Sequence, residues 1–172
     1  KNWANLYDKN LLSKISSNEG KFIKILNIER EKENPRKDYS SYKDIWPLIS
    51  FFYNEEFERM LSEKILPFKE NISKEIIKCI LSETKVAFTY LEDEQGWFNV
   101  VKTIGSKNHF ALNNKEFKIN PSQFVGTIGD VAEIIRISLT TSKMSPNLYN
   151  VFQILGKEEV NRRIDLVLKK LN

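Results

Sequence analysis

Cysteine and histidine are nearly missing from this chain of 172 residues, which has one of each, Cys79 and His109. A single thiol excludes an internal disulfide framework and a multi-cysteine metal site, and it points to a reducing compartment. The lone histidine lies in an irregular polar segment with no obvious serine or carboxylate partner, so nothing hints at a Ser-His-Asp arrangement. No apolar run approaches the ~20 residues needed to span a bilayer, and charges interrupt the amino terminus too often for a signal peptide. Six glycines and five prolines are spread without an internal repeat or a low-complexity tract. These absences predict a cytoplasmic chain with no membrane association, no metal site and no catalytic residue of its own. It begins at Lys1 without an initiator methionine and is read as a processed chain or an excised domain.

What is present suits a folded protein. Hydrophobic residues make up 41% and aromatic residues 12%, enough apolar bulk to offset the entropy of ordering. At this length about 70% of the unfolded surface should disappear on folding, in one domain or two small ones. The net charge of +4 conceals a division. Residues 1–40 carry 9 basic and 6 acidic side chains, residues 41–101 carry 7 and 11, and residues 102–172 carry 11 and 6. Two basic ends flank an acidic middle, a distribution that can present positive potential to a polyanion.

Hydrophobic spacing predicts helices throughout. Trp3, Leu6, Tyr7, Leu11 and Ile15 form one stripe, and Phe22 to Ile28 a second that ends before Asn34-Pro35, because the residue before proline disfavours the α region. Residues 35–39 read as a loop. Ser40 or Ser41 then caps an apolar stretch from Ile45 to Tyr53 that tolerates Pro47 in its first turn. A helix over 54–66 stops at Pro67, and Ser73 caps the longest candidate, 74–92. Trp97–Ile104 is expected to stop at Gly105, and 107–123 to hold a loop or a short β-hairpin around Phe110 and Phe117. A helix over 130–141 buries Val131, Ile134, Ile135 and Leu139. Ser145-Pro146 reads as an N-cap with proline at N1, and Gly156 as the break before a terminal helix over 158–171. The expected fold is all-α, a helical cage or bundle, with at most a small irregular or hairpin insertion near 107–123. Residues 1–92 form one helical subdomain and 93–172 another.

Three short patterns carry no chemistry. Glu55-Glu56 and Glu158-Glu159 sit near helix starts, where the macrodipole favours negative charge. Gly126-Thr127-Ile128-Gly129 has the glycine spacing of a KH-domain loop but lacks its surrounding pattern and basic residues. Ser142-Lys143-Met144-Ser145 is similar to the ATP-binding lysine loop of class I aminoacyl-tRNA synthetases, yet it has no His-x-Gly-His partner.

The larger constellation is Arg136, Leu139-Thr140, Ser145-Pro146, then Leu148 through Gly156-Lys157-Glu158. It resembles the carboxyl-terminal signature of bacterial glutamyl-tRNA synthetases, departing at Tyr149 and Phe152. Upstream, Pro35-Arg36, Tyr42-Lys43-Asp44, Trp46-Pro47 and Phe51-Phe52-Tyr53 are similar to a second family segment. The resemblance covers roughly 25–60 and 124–171; residues 93–123 depart from the pattern.

That resemblance implies an α-helical anticodon-binding cage for a glutamate tRNA, and for a glutamine tRNA as well if the enzyme does not discriminate. ATP and Mg²⁺ would belong to an amino-terminal catalytic domain of the same enzyme, whose motifs are not in these 172 residues, so the chain is expected to bind tRNA as a monomer without aminoacylating it. Arg36 matches the family arginine at the third anticodon base, Arg136 a second anticodon arginine, and Ser145, Pro146 and Leu148 the segment packed on the first base. By charge alone, Lys37, Lys107 and Lys143 are candidate phosphate contacts. A competing reading is a helical protein-interaction module that binds no nucleic acid.

Overall fold

A computed structural model describes residues 1–34, 41–88 and 93–172. The expected loop over 35–39, with Arg36 and Lys37, lies outside the described residues, as do positions 89–92. Ten α-helices and one pair of two-residue strands are present among the described residues, so the all-α expectation holds.

The first stripe is two helices, α1 (Asn2–Tyr7) and α2 (Lys9–Ser17). Asp8 interrupts it because its side chain accepts from the backbone N–H of Leu11, 2.9 Å, and caps α2 instead of continuing α1. Asn18 does the same for α3 (Glu19–Leu26). Ser41 receives the expected capping role: its backbone N–H donates to the Asp44 carboxylate at 2.8 Å, opening a 3₁₀ turn (Tyr42–Asp44) and α4 (Ile45–Ile49), in which Pro47 sits in the first turn. A second 3₁₀ turn (Ser50–Phe52) leads to α5 (Asn54–Glu63). This helix ends before Leu66, with Lys64 extended, and the Lys170 ammonium donates to the carbonyls of Leu61 and Lys64 there.

Ser73 caps α6 (Lys74–Ala87), which ends five residues short of the expected 92. α7 (Glu94–Lys107) runs through Gly105. Packing is close there: a Cβ on Gly105 would lie 2.3 Å from Ile128 Cδ1, and that side chain would have to shift to admit it. Strand β1 (Phe110–Ala111) pairs in parallel with β2 (Gly126–Thr127), Phe110 opposite Gly126 and Ala111 opposite Thr127. A parallel pair cannot be joined by a tight turn, and the crossover holds α8 (Asn114–Ile119), which includes Phe117, and a 3₁₀ turn (Pro121–Gln123). The expected hairpin is therefore a β-α-β crossover.

Helix α9 (Ile128–Thr140) buries the predicted face and also Ile128, Ile137, Ser138 and Thr140. Being apolar nearly all round, it forms the core helix, packed against α6, α7 and the last helix. That helix, α10 (Leu148–Leu171), is broken at Gly156, where φ 76° and ψ 163° are non-helical. Only glycine occupies such backbone without strain, as its expected role at the junction requires. The cap of α10 differs from expectation: Asn147, not Ser145, accepts from the Asn150 N–H. One apolar core runs from Ala4 to Val167, drawing on both sides of residue 92.

Arg163 locks this arrangement from within. It is wholly buried; Nη1 donates to the carbonyls of Phe51 at 2.8 Å and Leu139 at 2.7 Å, and Nε to Glu159 at 2.7 Å. Its guanidinium lies over the Phe57 ring. The carbonyl ends of α9 and of the 50–52 turn are thus satisfied by one side chain of α10. No helix of the described residues is long and apolar enough to cross a membrane.

Candidate nucleic-acid interface

The loop between α9 and α10 collects four of the sequence-predicted site residues. α9 ends at Thr141 in the left-handed region, φ 59°. The Thr140 hydroxyl, 2.8 Å from Arg136 O and 3.1 Å from Ser142 O, holds the turn. Ser142 Oγ accepts from the Met144 N–H at 3.1 Å. Arg136, one turn back on α9, reaches across this loop: Nη1 donates to Ser145 Oγ, to Ser145 O at 3.3 Å and to Pro146 O at 3.0 Å. Pro146 and Leu148 are buried behind it. Asn147 fixes the far side, its amide donating to Glu94 at 2.6 Å.

The Arg136 side chain is divided by this geometry. Nη1 is committed to the loop, whereas Nε and Nη2 have no protein partner among the described residues and remain open to solvent. Burial lowers the guanidinium pKa from its ordinary value, against the pull of Glu133, but arginine stays charged at neutral pH. Planar donors held in place at a half-buried position and without a protein acceptor among the described residues suit an oxygen or ring-nitrogen acceptor presented edge-on.

Of the other candidates, Lys143 is in the same loop and Lys107 stands apart from it. Lys143 is exposed, with Nζ 3.5 Å from Glu133. Lys107 ends α7 and is exposed. Sequence reasoning missed a groove of about 800 Å³ between α3 and the start of α10, whose lining includes Lys21, Lys24, Asn27, Asn150 and Gln153. Asn150 Oδ1 is buried there without a hydrogen-bond partner among the described residues. Lys21 donates to Phe52 O at 2.8 Å, and burial, with Arg163 nearby, lowers its pKa. The signal for this groove was only the basic character of residues 1–40. No group of three or more His, Cys, Asp or Glu among the described residues could hold a metal ion, and Cys79 is exposed.

Residues 125–168 match the model of an anticodon binding domain. The segment contains Arg136, Ser145, Pro146 and Leu148. Glutamate–tRNA ligases align along nearly the whole chain. That of Clostridium beijerinckii is 34% identical over 168 residues, 96% of this chain and 30% of the relative. Those of Acetivibrio thermocellus and Clostridium perfringens strain 13 are 32% and 31% identical over 96% and 95% of the chain, again 30% of each relative. The chain resembles the anticodon-binding region of bacterial glutamyl-tRNA synthetases. It spans about 30% of the length of these ligases. The alignments run through residues 93–123, which the resemblance read from the sequence did not reach. The β-α-β crossover therefore lies within the span shared with these synthetases.

Proposed function

We propose that this chain recognises the anticodon loop of a glutamate tRNA for a glutamate–tRNA ligase. The observation that carries the reading is the divided guanidinium of Arg136, pinned to Ser145 and Pro146 on one side and open on the other. Unpaired loop bases splay out and present their Watson–Crick edges. The open donors of Arg136 face such an edge with little orientational freedom left to lose. The first free N–H groups of α10, beside Pro146 and Leu148, add donors for a base oxygen or a phosphate. Arg36, as a donor-only group, suits the O2 and N3 acceptors of cytosine. Lys37, Lys107 and Lys143 supply phosphate contacts. The groove between α3 and α10, with the Asn150 acceptor, offers room beside this edge.

In this reading residues 1–92 carry the Pro-Arg loop and 93–172 the Arg136 site. The chain acts as a monomer in the cytoplasm. ATP and Mg²⁺ serve the ligase's catalytic domain, and no residue here is assigned to them. Whether glutamine tRNA is also accepted depends on a difference of two affinities. Leu6 and Tyr7, each 73% exposed, and Tyr42, 65% exposed, favour a second, compatible reading in which that apolar face meets another protein domain.

The test is Arg136→Lys, which keeps the charge and removes the fork. Binding of glutamate tRNA at fixed salt should weaken by about 1–3 kcal/mol, the scale of one bidentate base contact, with little change in melting temperature. An unchanged isotherm removes Arg136 from the interface.

A further inference from the structure

We infer that Thr141 is a positioning residue for anticodon reading, a stiff pivot that turns the chain at the end of α9 so that Ser145 and Pro146 meet Arg136; this rests on the tRNA-binding reading above. Glu29, His109 and Thr141 are the non-glycine residues with positive φ among the described residues, and of these only Thr141 is β-branched. At φ 59° and ψ 18° its Cβ crowds the following carbonyl oxygen, and a branched side chain rarely adopts that backbone. The residue is only 3% exposed, and its hydroxyl has no hydrogen-bond partner among the described residues. Two unfavourable features thus fall on one residue, at the turn that carries the acceptors of Arg136. Such strain persists where the surroundings over-determine the backbone, and it gathers at sites that must keep one geometry.

The pivot is held from both sides. Its own N–H donates to Ile137 O at 2.8 Å, and the Ser142 N–H donates to the Thr140 hydroxyl oxygen at 3.3 Å. Arg163 of α10 donates to Leu139 O at 2.7 Å, two residues before the turn. On the far side stand the bonds from Arg136 to Ser145 and Pro146. Had α9 continued, those two residues would lie about 14 and 15 Å along the axis from Arg136. A left-handed residue ends the helix and folds them back. Glycine makes such a turn without a Cβ, but it also occupies many other conformations. The branched side chain of Thr141 confines the turn to one narrow well and one packed position. The Arg136 donors keep their direction only while Ser145 and Pro146 stay still, and motion removed before binding is not lost on binding.

The experiment compares Thr141→Gly and Thr141→Val in the full chain with two readouts. One is the ratio of affinities for the glutamate-tRNA anticodon stem–loop and the same stem–loop with a replaced anticodon, at fixed salt. The other is hydrogen exchange at the Ser142 and Met144 amides of the free chain. In Thr141→Gly the two amides should exchange faster while those in the middle of α6 are unchanged, and the ratio should fall about two- to tenfold, the scale of one side chain's lost order. Thr141→Val keeps the branched shape and drops only the unpaired hydroxyl, so it should retain the wild-type ratio and exchange. A wild-type ratio or unchanged loop exchange in Thr141→Gly overturns the pivot and leaves the anticodon reading standing. An equal loss in Thr141→Val assigns the effect to the hydroxyl and also overturns the pivot. A wild-type chain that binds both stem–loops alike overturns the anticodon reading and the pivot's purpose together, whatever the exchange rates.

Discussion

At Arg163 a guanidinium is buried among carbonyl oxygens of two distant segments and a carboxylate on its own helix. Burial lowers its pKa to about 10, partly opposed by Glu159, so the side chain is still an ion at neutral pH. Removing one member of a buried pair is costly because the other is left uncompensated. Arg163→Met should therefore lower unfolding free energy by about 3–5 kcal/mol, measured by denaturant titration. A change below about 1 kcal/mol, the scale of a surface pair, contradicts the assigned role. Nothing in the sequence marked this residue. The carbonyl acceptors that bury Arg163 lie 24 and 112 positions away. Arg136 was singled out because it lies in the segment that resembles the synthetase signature, and its partners Ser145 and Pro146, 9 and 10 residues on, lie in that same segment. The Ser145 cap was misread for the same proximity: proline at the next position suggested a helix start, but Arg136 takes the Ser145 hydroxyl and Asn147 takes the cap.

The helices were readable where a 3.6-residue apolar period met a clear boundary residue, as at the Ser73 side-chain cap of α6 and at the Gly156 backbone break within α10. The parallel strands were not, since two residues show no alternation and the partner lies 16 positions away. Gly105 was read as a stop because glycine commonly follows a helix end; here it permits α7 and α9 to approach. Gly105→Ala should cost about 1–3 kcal/mol through overpacking. Ile128→Val removes the Cδ1 atom in the way, so the double variant should recover much of that loss. Strict additivity of the two changes in a double-mutant cycle would mean that the helices do not meet at this point.

For the whole molecule, acid is the informative variable. Burial pushes the Glu159 carboxyl up, but hydrogen bonds from Arg162 and Arg163 outweigh it and hold the group below its ordinary value of 4.5. Asp130 is held low in the same way, burial opposing Lys69 and the Thr127 N–H. A carboxylate with a depressed folded pKa contributes stability in full above its unfolded value and loses it as pH falls through the folded one. Unfolding free energy should thus be flat near neutrality and decline below about pH 4.5, with Glu159→Gln reducing the slope there. An equal slope in that variant contradicts the coupling.

The two basic ends of the sequence supply the groove lysines from α3 and, from the second, Arg136 with Lys107 and Lys143. Their purpose is tested most directly by one comparison at fixed salt. The chain is titrated with the glutamate-tRNA anticodon stem–loop and with the same stem–loop carrying a replaced anticodon. Tighter binding to the glutamate anticodon, with the preference reduced in Arg136→Lys, is the predicted result. Equal affinity for both loops would mean that the chain holds RNA by charge alone and contradicts anticodon recognition.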